Sequence, residues 1–328
     1  MEKQTAQPLN FYNNEPEREE FMTAVIAGLR QSGKELPCKY LYDERGSLLF
    51  DKICELDEYY PTRTELNIMQ QYVYEIAGRI GRGVQLIEYG SGSSLKTRVL
   101  LDNLSDLAGY IPIDISKEHL LNAARKLEKI YPDLKVQPVC ADYTKDFTLP
   151  DDIHPTAPRA VYFPGSTIGN FNPEDALDFL KSINRVIDNN GVLFLGVDLK
   201  KDPVILHRAY NDRDGITAAF NCNILTRMNR ELGANFNTDQ FQHYAFFNPL
   251  QGRIEMHIIS LENQSVRLNG TTIHFAKGES IHTENSYKYT LKEFAGLAEK
   301  AGFTVDRVWT DDDTLFSVQL LRPDGYRS

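Results

Sequence analysis

Two hydrophobic rhythms divide the chain. From Val84 to Asp198, short apolar runs alternate with helical stretches. Val84–Tyr89, Tyr110–Asp114, Lys135–Asp142, Arg159–Gly165 and Gly191–Asp198 each read as a strand. Helical spacing falls between them, clearest at Lys117–Ile130 and Glu174–Val186. Such alternation predicts a parallel sheet joined by right-handed crossovers. Residues from Thr64 to about Gly81 read as a helix leading into the first strand. Near Lys200 the rhythm changes. Asp202–Tyr210 and Ile216–Leu232 stay helical, but Ala245–Phe247, Arg253–Leu261, Ser265–Leu268 and Thr272–Phe275 alternate as strands of an antiparallel insertion. Tyr289–Ala301 returns to helix, closing at Gly302. Phe303–Thr310 and Thr314–Leu321 then read as an antiparallel pair at the sheet edge. The first domain is resumed after the insertion.

Ahead of the alternation, residues 1–15 read as a poorly ordered leader. Pro16–Gln31 is helical, with Phe21, Ala24, Val25 and Leu29 on one face and Pro16 suited to the first helical position. Leu36–Phe50 and Glu58–Glu65 are dense in aromatics: Tyr40, Tyr42, Phe50, Tyr59 and Tyr60. These rings either fill a small core or wall a pocket.

Composition narrows the class. The 328 residues predict two lobes, and the 41% hydrophobic and 25% charged fractions are those of a globular protein. No apolar run reaches the roughly 20 residues a bilayer span needs. Met1–Thr5 lacks a signal core, so the expectation is a cytoplasmic protein. The four cysteines (Cys38, Cys54, Cys140, Cys222) are far apart, as in a reducing compartment. Without paired Cys/His spacing or H-E-x-x-H, no metal is expected. A net charge of −10 argues against a broad nucleic-acid surface, though not against local basic patches. A monomer acting on a small molecule is the expectation.

Candidate chemistry starts at Val84–Ser94. Gly90 and Gly92 accept positive φ and let a ligand approach the backbone, and Ser93 or Ser94 is suited to cap the next helix. The dinucleotide pattern G-x-G-x-x-G fails at Leu95. Glu88 gives E-x-G-x-G instead, which resembles the first motif of Rossmann-like S-adenosylmethionine (SAM)-dependent methyltransferases. In an open parallel sheet, ligands bind at the carboxyl ends of strands. Gly90, Asp114, Asp142, Gly165 and Asp198 fall on that rim. A lone strand-end aspartate usually caps a helix; several together point to a bound ligand. Asp114 is placed to hold both hydroxyls of a ribose.

Over Leu36–Leu321 the chain resembles the histidine Nα-methyltransferases that start ergothioneine biosynthesis. The resemblance rests on Tyr42-Asp, Gly46-Ser, Leu49-Phe-Asp, Glu58–Glu65, Gly90–Ser94, Lys96-Thr-Arg, Gly165–Asn170, Arg208-Ala-Tyr210, Thr217–Asn221, Asn229–Leu232, Arg253–Met256 and Thr283–Ser286. It implies an α/β fold: a Rossmann-like methyltransferase sheet with a second, α+β substrate domain. The SAM domain would be residues 65–199 plus 288–328, and the substrate domain 1–64 plus 200–287. SAM would be held by Gly90, Ser91, Gly92, Lys96, Asp114, Asp142 and Tyr143. L-Histidine would be held through its carboxylate by Asn170 and Tyr210 and through its imidazole by Glu284 and Ser286, with Tyr59, Met256 and Gly165 lining the pocket. Tyr42, beside the reacting amine, is the candidate to help remove its proton. Tyr89, where an aliphatic residue is usual, Asn285 and Tyr287 depart from the family pattern, and Tyr287 is placed to reshape the pocket. Methylation makes the nitrogen bulkier and finally quaternary, which aromatic walls favour. The alternatives are a relative acting on another aromatic amino acid such as tryptophan, a nicotinamide-dependent oxidoreductase, disfavoured by Leu95, and a catalytically silent SAM-binding protein.

Overall fold

The computed structural model describes residues 11–14, 18–92, 95–145, 147–150 and 156–326. The strands are β1 (Tyr12–Asn14), β2 (Lys34–Glu35), β3 (Gln85–Tyr89), β4 (Gly109–Asp114), β5 (Val139–Ala141), β6 (Arg159–Phe163), β7 (Val192–Asp198), β8 (Phe241–Asn248), β9 (Arg253–Ser260), β10 (Gln264–Leu268), β11 (Thr271–Phe275), β12 (Ser280–Tyr287), β13 (Phe303–Thr310) and β14 (Phe316–Pro323). The helices are α1 (Arg18–Leu29), α2 (Glu44–Glu55), α3 (Tyr60–Ile80), α4 (Leu95–Leu101), α5 (Lys117–Ile130), α6 (Pro173–Ile187), α7 (Pro203–Tyr210), α8 (Ile216–Leu232) and α9 (Leu291–Lys300).

The larger sheet runs β1-β5-β4-β3-β6-β7-β14-β13. Within its parallel core the strand order reverses at β3/β6, the doubly wound arrangement whose switch point opens a crevice for ligands. β3 is buried on both faces, which is why it reads as a continuous apolar run. Amphipathic helices cover the faces: α6 buries Ala176, Phe179, Leu180, Ile183 and Ile187, with Pro173 in its first turn. The closing hairpin is antiparallel as expected, β13 forming the edge and β14 pairing with β7. The fold is thus Rossmann-like α/β.

The smaller sheet runs β2-β12-β9-β8, with β10–β11 as a separate hairpin. Its own hydrophobic cluster includes Phe220, Ile224 and Met228 of α8, Ile254 and Ile258 of β9, and Phe21 and Val25 of α1. Asp43 caps α2 by accepting from Gly46 N at 2.8 Å, and it ties α2 to α8 through Asn223 at 2.7 Å and Arg230 at 2.6 Å.

Three expectations change. Tyr12–Asn14 is not loose leader: it pairs in parallel with β5 and covers an edge that would otherwise stay open. The third strand is only Val139–Ala141, because Pro138 has no N–H to offer a ladder. β12 was not anticipated, since its residues mix Glu284, Asn285 and Ser286 among the apolar ones. The proposed capping serines Ser93 and Ser94, and Pro16, lie outside the described residues. Among the described residues no helix is long and apolar enough to cross a membrane.

Candidate active site

The crevice at the switch point opens into a cavity of about 610 Å³. One wall is the rim of the larger sheet: Gly90, Gly92, Asp114, Asp142 and Tyr143. The facing wall comes from the chain between α1 and α2, from α2 itself, from the Thr167–Asn170 turn and from β12, and includes Lys39, Tyr42, Phe50, Asn170 and Glu284. Eight of the sequence-derived residues therefore meet in one cavity.

The rim is suited to an adenosyl group. Gly90 and Gly92 take φ of 73° and 46°, and a Cβ on Gly90 would stand 3.8 Å from the Tyr143 hydroxyl. Asp114 accepts from Gly92 N at 3.3 Å and Ser116 N at 2.9 Å. A carboxylate offers about four acceptor sites, so these contacts leave acceptor capacity for a ribose. Burial raises the Asp114 carboxyl, against the backbone N–H groups of Ser116, Gly92 and Ile115 and the charge of His119. Ser91 is buried beneath the turn and its hydroxyl has no partner, an orphan polar group awaiting a ligand. These residues fit SAM.

Asp142 was foreseen, but its partner was not. Lys39 reaches across the cavity to Asp142 Oδ2 at 2.6 Å, while Thr144 donates to Oδ1 through N and Oγ1. Burial pulls the Asp142 carboxyl up, but Lys39 and Thr144 outweigh it and hold it below its ordinary value. Lys96 and Gly165 do not wall the cavity. Both meet Glu65, Lys96 Nζ at 2.5 Å and Gly165 N at 2.9 Å from Oε2. Glu88 of the E-x-G-x-G pattern is buried and accepts from Thr97 and Tyr110, so it fastens α4 to the sheet.

The facing wall depends on an irregularity in β12. Ile281 pairs with Ile258 and His282 with His257, but Glu284 then pairs with Met256, leaving Thr283 as an extra residue. A bulge of this kind reverses which face later residues take. It turns Glu284 and Ser286 to the side of Met256 and Ile258; an unbulged strand would put Glu284 beside His282. Thr283 is fixed there by Asn221 at 2.6 Å and the Met256 carbonyl at 3.1 Å. Glu284 is 8% exposed and its Oε2 has no partner. Burial pushes its carboxyl up to about 8, with Lys288 working against that rise.

Tyr59, Tyr210, Met256 and Ser286 do not wall the cavity but lie directly behind it. Phe50 meets Tyr42 at 5.6 Å and Tyr59 at 6.2 Å between ring centroids, and Tyr59 meets Tyr210 at 6.2 Å. Tyr210 OH and Ser286 Oγ are 2.7 Å apart. Burial, then the charge of Glu284, pushes the Tyr42 phenol well above its ordinary range, so it is protonated at neutral pH. Tyr89 sits under Tyr143 as an edge contact at 5.8 Å, filling space below the adenosyl wall. Tyr287 turns away and accepts from Arg253. Asp198 stands at the foreseen strand end, but it faces Lys288, Lys201 and Tyr60 rather than the cavity. Sequence reasoning missed Lys39, Glu65 and Lys288. Glu65 and Lys39 each sat inside an aromatic-rich stretch, where a charge among buried positions was the available signal.

The family described as histidine-specific methyltransferase, SAM-dependent, matches residues 21–323. The histidine N-alpha-methyltransferase of Mycolicibacterium smegmatis is 40% identical over 90% of this chain and 92% of that protein. That of Mycobacterium tuberculosis is 39% identical over the same shares. Ergothioneine biosynthesis protein 1 of Neurospora crassa is 30% identical over 84% of this chain, which spans 32% of that longer protein. A family match over residues 21–323 and relatives 39–40% identical over nine-tenths of the chain settle the family: the chain belongs to the histidine-specific, SAM-dependent methyltransferases.

Proposed function

We propose that this protein transfers methyl groups from SAM to the α-amino nitrogen of L-histidine, ending at trimethylhistidine, the first step of ergothioneine biosynthesis. The observation that carries the reading is one cavity walled by Gly90, Asp114 and Asp142 on one side and by Tyr42, Asn170 and Glu284 on the other. Asp114 would take the ribose, Asp142 and Tyr143 the adenine, and Gly90–Gly92 the remainder of SAM, with Lys96 held nearby by Glu65. The bound sulfonium supplies an already activated methyl group, so the protein's task is alignment. Asn170 would hold the substrate carboxylate, Tyr210 would flank it with its hydroxyl proton directed to Ser286, and Glu284 and Ser286 would hold the imidazole, backed by Tyr59 and Met256. Gly165 would let the substrate pass close to the backbone. Tyr42 remains a phenol, so it accepts an amine N–H and aims the nitrogen lone pair. Its ring and that of Phe50 then face a nitrogen that becomes cationic and apolar.

The division into a SAM domain of residues 65–199 plus 288–328 and a substrate domain of 1–64 plus 200–287 belongs to the same proposal. Separate hydrophobic clusters behind the two sheets support it, although β1 joins the larger sheet. The test is mass spectrometry of purified protein with SAM and each common amino acid. Histidine alone should gain one, two and three methyl groups. Equal methylation of tryptophan, or none of histidine, would overturn the reading.

A further inference from the structure

Behind Ser286 and Tyr210 lies a buried ionic cluster. Asp198, ending β7, and Lys288, just after β12, are 1% and 2% exposed, and their charged atoms are 2.7 Å apart. Lys288 Nζ also donates to Ser286 Oγ at 2.7 Å and to Tyr210 OH at 3.3 Å. An ammonium has three protons and no acceptor, so these contacts use all three. Asp198 is held on its other side by Lys201 and by Tyr60 OH at 2.7 Å.

The hydroxyl pair now has a fixed proton count. Each hydroxyl accepts from Lys288, and across their 2.7 Å contact one donates to the other. One proton remains, and it cannot point at the lysine. The lysine stays charged: burial opposes the charge, but Asp198 outweighs it and raises the Lys288 ammonium above its usual value.

We propose that Lys288, anchored by Asp198, makes the Tyr210–Ser286 pair an obligate hydrogen-bond donor toward the substrate ring, and is thereby a specificity-determining positioning residue. This rests on the reading that the ring lies between Glu284 and Ser286. A neutral imidazole satisfies both sides at once: its N–H meets the Glu284 carboxylate and its bare nitrogen takes the exported proton. A ring with an N–H but no bare nitrogen satisfies Glu284 only and leaves a hydroxyl proton unpaired in a closed site. Such a group is rejected because an unmet buried donor is costly.

The test compares histidine with β-(pyrrol-2-yl)alanine, which is nearly the same size and has the N–H without the bare nitrogen. Wild-type kcat/KM should favour histidine by about tenfold or more. In Lys288→Met the hydroxyls are free to turn and accept. Histidine should lose about tenfold, chiefly through KM, and the preference should shrink toward parity, while SAM affinity by calorimetry stays within about twofold. Combining Lys288→Met with Ser286→Ala and Tyr210→Phe should add nothing to the loss those two give together, because the lysine acts through them. Lys288→Gln, whose amide keeps two protons to donate, should restore the preference and serves if the methionine variant does not fold. Equal loss of both substrates, an unchanged preference in Lys288→Met, or additive losses would overturn the inference while leaving histidine methylation standing. A wild-type protein that methylates no histidine would sink both.

Discussion

Replacing Glu284 by glutamine should move stability and substrate affinity in opposite directions. Glu284 is buried with its Oε2 unpartnered, and burial pushes its carboxyl up to about 8 from an ordinary 4.5. The folded state therefore binds this proton more tightly than the unfolded chain does. The associated stability is complete below about pH 4.5 and is lost as pH rises, the loss levelling off above 8. At about 1.4 kcal/mol per unit, the penalty at pH 7 is about 3 kcal/mol. Water entering the cavity screens the carboxyl, so this is a ceiling. Glutamine keeps the shape and removes the titration. The substrate-free variant should unfold at equal urea near pH 4.5 and at progressively higher urea toward pH 8.

Histidine affinity should fall at the same time. The amide oxygen still accepts the ring N–H, but charge assistance is lost, about half the strength of such a bond. Hydrogen bonds to charged groups contribute about 1.5–3 kcal/mol, so the loss is about 1 kcal/mol, roughly five- to tenfold in Kd. SAM affinity should not change. Urea unfolding at pH 5, 7 and 8.5 with calorimetry for both ligands reads all three quantities. A stability difference independent of pH, or histidine affinity equal to wild type, would refute the placement of an unpaired, ring-binding carboxyl here.

Three further outcomes follow from the same geometry. Histidine binding should release up to one proton near pH 7, because the ring N–H needs Glu284 ionised. Affinity should then rise by at most about tenfold per pH unit up to 8, as read by calorimetry in buffers of different ionisation heat, and Glu284→Gln should abolish the release. Asp114→Ala should weaken SAM by about tenfold or more through the lost ribose contacts and leave histidine affinity nearly intact; the reverse pattern in a binding assay would misplace the rim. Gly46→Ala would set a Cβ 1.8 Å from the Leu41 carbonyl oxygen, so the turn bearing Lys39 and leading to Tyr42 has to shift. Thermal melting should show a loss of about 1–3 kcal/mol, and the histidine KM should rise.

The parallel sheet was legible because its strands are buried on both faces and each ends in a glycine or an acid, so periodicity and rim chemistry coincide at Gly90, Asp114 and Asp142. α8 was read to the residue for a similar reason: its pattern is helical and Gly233 stops it with φ of 67°. β1 was not legible, since three residues that only complete a sheet edge need no apolar pattern of their own. The decisive miss was β12. Period-two reasoning assigns Thr283 and Glu284 to opposite faces and would put Glu284 on the strand face of His282 rather than that of Ile281. The bulge at Thr283 overturns that parity. It is held by Asn221 on α8, some sixty positions earlier in the chain and invisible as a neighbour. The resemblance named Glu284 and Ser286 as ring contacts without giving a physical reason why both face inward. The structure supplies it: one extra residue in a strand, pinned by an asparagine from another element, puts Glu284 in the cavity wall and Ser286 on the same face of the strand, just behind it. Lys288 then fixes which of the two sides gives a proton and which receives one. Function at this wall is therefore a property of register, which local sequence encodes only through the distant residue that locks it.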